Sequence, residues 1–254
     1  MQGGLKEADM IGAKFGMLGE RGGIGKYVED GLLVWLDGKN NVGGQQHSDS
    51  STKWVNLGSG GATYDAVRSS GAWEDDCAVF GGVDTQVFSI GNSIMSNAMK
   101  GEWTVQVVFS MESGNYGNYH GIFGSHGYSS SQYGVVGMQY ENGNFANAVW
   151  GTSRGFSIAN IPSQNIDVGK KYLATVCESY SQGNAQTYLN DGLVASVTPS
   201  YQLTTTQAFK IGSAYNSTGR SMIGRVYSLR IYTRKLTADE LRTNYKVDKA
   251  LFRL

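Results

Sequence analysis

Apolar positions along this chain come in short runs, many with a period of two, cut by glycine, asparagine and serine. Leu32 to Leu36 is a continuous apolar run between Gly31 and Gly38, which predicts a strand buried on both faces. From Thr104 to Met111, Val105, Val107, Phe109 and Met111 share one face, which predicts a strand whose other face is wet. Tyr172 to Glu178 predicts a further strand, and Asn184 to Val194 a hairpin turning at Asn190-Asp191-Gly192.

The stretch Phe209 to Tyr245 is the most ordered in pattern. Phe209 and Ile211 alternate around Lys210 in a brief strand, and Ser213 to Ser221 reads as a polar loop. Met222 to Tyr232 is rich in β-branched, aromatic and aliphatic residues and predicts a long strand, with Gly224 marking a bulge or a close backbone approach. Thr237 and Glu240 have the spacing of a capping box, and Leu236 with Leu241 that of a hydrophobic staple. A short amphipathic helix is therefore expected from about Ala238, burying Leu241 and Tyr245.

This order resembles the end of a laminin G-like domain of the concanavalin A-like lectin and glucanase superfamily, of the type found in phage and bacterial surface proteins. Gly224, Val226, Arg230, Ile231, Tyr232, Arg234, Leu236, Thr237 and Glu240 carry the resemblance. The run Gly31 to Gly38, the element Trp54 to Leu57, Phe80 to Asp84 and the hairpin extend it over about residues 30 to 245. Asn56 and Gly81 depart from it, standing where the family commonly has an acid, or at Gly81 an acid or amide. The resemblance implies an all-β fold, an antiparallel two-sheet jelly-roll sandwich with a short C-terminal helix and closing strands from both ends of the chain.

Composition agrees with such a fold. The chain has 254 residues, of which 36 are glycine, 15 tyrosine and only 2 proline, a profile of many strands joined by tight turns. Basic and acidic residues balance at 21 each, so net charge calls for neither nucleic acid nor an anionic membrane, and no apolar run is long enough for membrane insertion. Cys77 and Cys177 are expected as free buried thiols, with a bridge between opposite sheets as the alternative. Residues 1–26 are Gly-rich with scattered apolar side chains and no leader-like pattern, so the division is an N-terminal arm at 1–26 and a domain at 27–254. The arm is either a frayed terminus or a segment that docks on a scaffold or a neighbouring subunit of a homo-oligomer.

No alternating acidic strand of the kind that supplies a glycosidase's paired carboxylates is present. A pair could still be assembled from distant acids such as Glu112, Glu141 or Glu178, but no motif points there, and no catalytic activity is expected. The resemblance implies calcium as the one cofactor to consider, with Glu74, Asp75, Asp76 and Asp84 as oxygen donors; a solvated acidic turn is the simpler reading. Sugar recognition needs flat apolar faces and amide or hydroxyl edges. Tyr116, Asn118, Tyr119, His120 and Tyr128 supply both in one stretch, and Trp150, Tyr215 and Asn216 can join from elsewhere. The same composition also suits a protein contact surface.

Two readings follow. One is a non-catalytic lectin-like module that binds a glycan or a cell-surface protein, displayed on a larger assembly at an extracellular or virion surface. The other is a structural virion protein, a phage capsid decoration or a tail or fibre appendage, docked on other virion proteins through residues 1–26.

Overall fold

The structure is a computed structural model that describes residues 25–44, 46–91, 94, 98–99, 101–112, 120–125, 166–199, 208–213, 219 and 221–254, with the backbone of 135–141, 144–150 and 156–160. Its first strands are β1 (Leu32–Asp37), β2 (Lys53–Trp54), β3 (Ala66–Arg68), β4 (Ala72–Glu74), β5 (Cys77–Gly81), β6 (Phe88–Ile90), β7 (Glu102–Met111) and β8 (His120–Gly124). There follow β9 (Val135–Glu141), β10 (Asn144–Trp150), β11 (Phe156–Asn160), β12 (Lys171–Ser179), β13 (Asn184–Leu189), β14 (Gly192–Val197), β15 (Phe209–Ile211), β16 (Ile223–Tyr232) and the helix α1 (Ala238–Phe252).

Two antiparallel sheets result. The first runs β14-β13-β12-β7-β16-β5-β4, and the second β11-β10-β9-β8-β15-β6-β3-β2. The long strand β16 has β7 along one edge, while its other edge is shared by β5 at Ile223 to Val226 and β1 at Ser228 to Tyr232. The first and last strands of the chain therefore close the same sheet. Gly224 is a close approach rather than a bulge: a Cβ there would lie 2.2 Å from the Ser110 carbonyl oxygen, and the register shift falls later, between Val226 and Ser228. The hairpin turns as its sequence requires, with Leu189 opposite Gly192 and Asn190 at φ 57°.

The inner faces enclose the main core, in which Trp54, Phe80, Phe88, Phe109, Phe123 and Phe209 are buried. The outer face of the first sheet is also covered, by α1. Leu236, Leu241 and Val247 pack there against Leu32, Trp35 and Tyr232, and Phe252 against Tyr227. This corrects the expected wet face of β7, because Thr104, Gln106 and Ser110 are all buried.

The helix begins at the expected cap. Thr237 Oγ1 accepts from the Glu240 amide and the Glu240 carboxylate accepts from the Thr237 amide at 2.8 Å. It runs 15 residues, and its buried stripe holds Asn244 and Asp248 as well as Leu241 and Val247, while Tyr245 is half-buried. Asn244 donates to Gln106 and Tyr232, and Asp248 takes the Arg230 guanidinium and the Tyr27 hydroxyl. The helix is thus held by a buried polar network on the sheet that composition alone would leave solvated.

Asn56, which departs from the resembled pattern, serves the backbone. Its Oδ1 accepts from Trp35 N and Gly58 N at 2.8 Å each, and its amide donates to the Leu33 and Gly61 carbonyls. An ionised carboxylate has no donor for those two carbonyls, so the amide suits this loop. Cys77 and Cys177 are free and buried, both beneath the helix-covered face, and burial pushes their thiols up to about 12 and about 11. Among the described residues no helix is long and apolar enough to cross a membrane.

Candidate functional site

One end of the sandwich gathers three chain segments around Ser221. The turn after β5 brings in Asp84, the start of β8 brings in His120, and the turn before β16 brings in Gly219 and Ser221. Ser221 bridges Gly121 on one side and Ser213 on the other, which fixes the segment against β8 and the end of β15. His120 is buried there, and its Nδ1 donates to the Ser221 carbonyl at 2.6 Å, since a carbonyl only accepts. Asp84 accepts from Ser221 Oγ at 3.0 Å and from the Gly219 amide at 3.0 and 2.9 Å to its two oxygens.

The structure therefore brings together one residue expected in a glycan site and one expected as a metal ligand. Tyr116, Asn118, Tyr119, Tyr128, Tyr215 and Asn216 lie outside the described residues. Trp150 is not brought here. His120 pairs with Tyr140 and Trp150 pairs with Val135, five residues along β9, which sets it roughly 17 Å further down the sheet at ~3.3 Å per residue.

The other candidate metal ligands have different neighbours. Glu74 receives both Nε and Nη2 of Arg225 at 2.8 Å, and Arg225 Nη1 lies 2.5 Å from Glu112. These hydrogen bonds hold both carboxyls below their usual range. Asp76 pairs with Lys171 at 3.5 Å, and Asp75 is exposed. Among the described residues, no three histidine, cysteine or acidic side chains are grouped to hold a metal ion. Both Asp84 oxygens and both Glu74 oxygens already take donors from the protein.

Glu112 and Glu178 do not pair. Glu112 follows the end of β7, whereas Glu178 sits opposite Trp103 at its start, roughly 30 Å away at the same rise per residue. Glu178 is buried and its carboxyl is pushed up to about 7 by burial. Sequence reasoning named His120 and Asp84 but not Ser221 or Gly219, whose polar loop carries no pattern that singles them out.

No protein-family model matches the chain, and no curated protein matches it in sequence. Solved structures do resemble it. The Trypanosoma rangeli sialidase in complex with 2,3-difluorosialic acid superposes with a TM-score of 0.67 at 15% identity, over 95% of this chain and 38% of that one. Domain 4 of AbnA, a GH43 extracellular arabinanase from Geobacillus stearothermophilus, in complex with arabinotriose, gives 0.57 at 15% identity, over 85% of this chain and 98% of that domain. The binding domain of botulinum neurotoxin serotype D gives 0.59 at 13% identity, over 86% and 51%. The chain spans less than two fifths of the sialidase's length, and at these identities the likeness is one of fold: a two-sheet β-sandwich.

Proposed function

We propose that this chain is a non-catalytic, lectin-like glycan-binding module of the laminin G-like kind, with its site at the end of the sandwich organised by Asp84, His120 and Ser221. The observation that carries the reading is the match to almost the whole of arabinanase domain 4, a sandwich of similar extent bound to a trisaccharide. The rim supports it with an anchored set of backbone and hydroxyl groups at Gly219 and Ser221, held by Asp84. The separation of Glu112 from Glu178 supports a binding rather than a hydrolytic role.

The module is displayed on a larger assembly, at an extracellular or virion surface, through residues 1–26. Tyr27 and Val28 are bonded to Asp248 and Asn244, so the chain enters the domain on the helix-covered face, away from the second sheet.

A glycan array probed with the full chain, in calcium and again in chelator, tests this, with arabinan oligosaccharides and sialosides among the probes. Saturable binding that falls in Tyr116→Ala and Tyr119→Ala is expected. A blank array in both buffers overturns the reading.

A further inference from the structure

At the opposite end of the first sheet lies a second group of buried polar atoms that the proposed site does not use. Glu178 is 1% exposed and Trp103 fully buried, and the two are direct cross-strand partners on β12 and β7. Val176 and Ala174 on β12, with Val105 and Val107 on β7, belong to the inter-sheet core, and by strand alternation Glu178 and Trp103 face the same way. On the other side Glu178 pairs with Ala185 of β13. Neither Glu178 Oε2 nor Trp103 Nε1 has a hydrogen-bond partner among the described residues.

The charged side chains described nearby are directed elsewhere. Ser179, the next residue, points to the other face and donates to Glu102 at 2.7 Å, and Lys235 bonds Asn184 there. On the inner face the flanking residues of β7, β12 and β13 are Trp103, Val105, Val176, Ala185 and Thr187, none of which titrates as an acid or base near neutrality.

We infer that Glu178, seated against Trp103 between the sheets, is a proton-operated latch that holds this end of the sandwich closed while protonated and loosens it on losing its proton. A neutral carboxylic acid is tolerated in such a place, whereas an ionised one has no counter-charge among the described residues. Losing the proton therefore forces water into this end or withdraws the ends of β12 and β13 from the core.

The sign of the effect follows from burial. The carboxyl's pKa is raised from 4.5 when unfolded to about 7 when folded. Stability is full below 4.5, falls as pH rises toward 7, and stays low above it. The folding equilibrium should weaken on the order of a hundredfold across that interval.

Hydrogen exchange and chemical denaturation of the full chain and of Glu178→Gln, at intervals from pH 4.5 to 8, test the latch. In the wild type, exchange protection at the Ser179 end of β12, the start of β7 and β13 is expected to fall with rising pH, and in Glu178→Gln to change far less. Parallel pH dependence in the two proteins overturns the proposal. Should Glu178→Gln fail to fold, the carboxyl resonance of Glu178 in the wild type decides. A midpoint near neutrality supports the latch, and one near 4.5 overturns it.

Discussion

Tyr27 donates to Asp248 across 221 residues of chain, at 2.7 Å, with the Arg230 guanidinium 4.1 Å above the tyrosine ring. The contact ties the beginning of the domain to the helix α1 over the C-terminal part of β16. Arg230 and Asp248 are both fully buried and joined through two hydrogen bonds. Burial raises the Asp248 carboxyl from its usual range, and Arg230 opposes that shift. Asp248→Asn leaves a buried guanidinium without its counter-charge and should cost about 3–5 kcal/mol, while Tyr27→Phe, losing one hydrogen bond to a charged group, should cost about 1.5–3 kcal/mol. Urea denaturation of both and of the double variant should give less than the sum, since they share a partner.

The role of Asp84 separates two mechanisms. As a clasp it needs only acceptor oxygens for Gly219 N and Ser221 Oγ, one of which Asp84→Asn retains. As a calcium ligand it needs its charge. Glycan affinity is therefore expected to fall further in Asp84→Ala than in Asp84→Asn, with no response to chelator. Equal loss in both variants, with chelator sensitivity in the wild type, would assign the residue to a metal site.

The start of α1 predicts an acid-sensitive step. Arg234 donates to both Glu240 oxygens at 2.9 and 2.7 Å, and with the Thr237 amide these bonds lower the Glu240 carboxyl to about 2. A depressed folded pKa gives stability that is present above 4.5 and lost as pH falls through about 2. Thermal melts between pH 5 and 2 should show a shallower acid slope in Glu240→Gln than in the wild type. At neutral pH, Thr237→Ala should cost about 1 kcal/mol through the lost cap.

What the sequence could show was what is local. The cap at Thr237, the turn at Asn190-Asp191 and the strand Ile223 to Tyr232 each lie within a dozen residues, and each stands where expected. The polar face of β7 was misleading for a physical reason. Thr104, Gln106 and Ser110 alternate with apolar residues as they would beside water, yet Gln106 meets Asn244, Thr175 and Arg230, partners that only the tertiary fold brings near. Ser221 was missed likewise, since its bond to Asp84 spans 137 residues. An acid and a serine in separate polar turns announce no pairing.

Gly212 connects the core to the rim and gives the sharpest steric prediction. It stands at φ +87°, where a side chain is strained, and a Cβ there would lie 2.1 Å from Cε1 and 2.2 Å from Cδ1 of Phe80, which is buried in the core. Its amide donates to the Ile122 carbonyl at 2.7 Å, and its carbonyl accepts from Met222 N at 2.8 Å, so the backbone has little freedom to retreat. Gly212→Ala must displace the phenyl ring or break those bonds, and a loss of at least ~2 kcal/mol is expected from strain and overpacking together. Shortening the obstructing ring should separate the two causes. Phe80→Leu costs stability alone but relieves the overlap, so in the Gly212→Ala background it should cost less than in the wild type. Additive costs would leave the positive φ as the sole penalty. Because Gly212 adjoins the Ser213–Ser221 bridge, Gly212→Ala should also weaken binding at the rim more than its melting temperature alone would suggest.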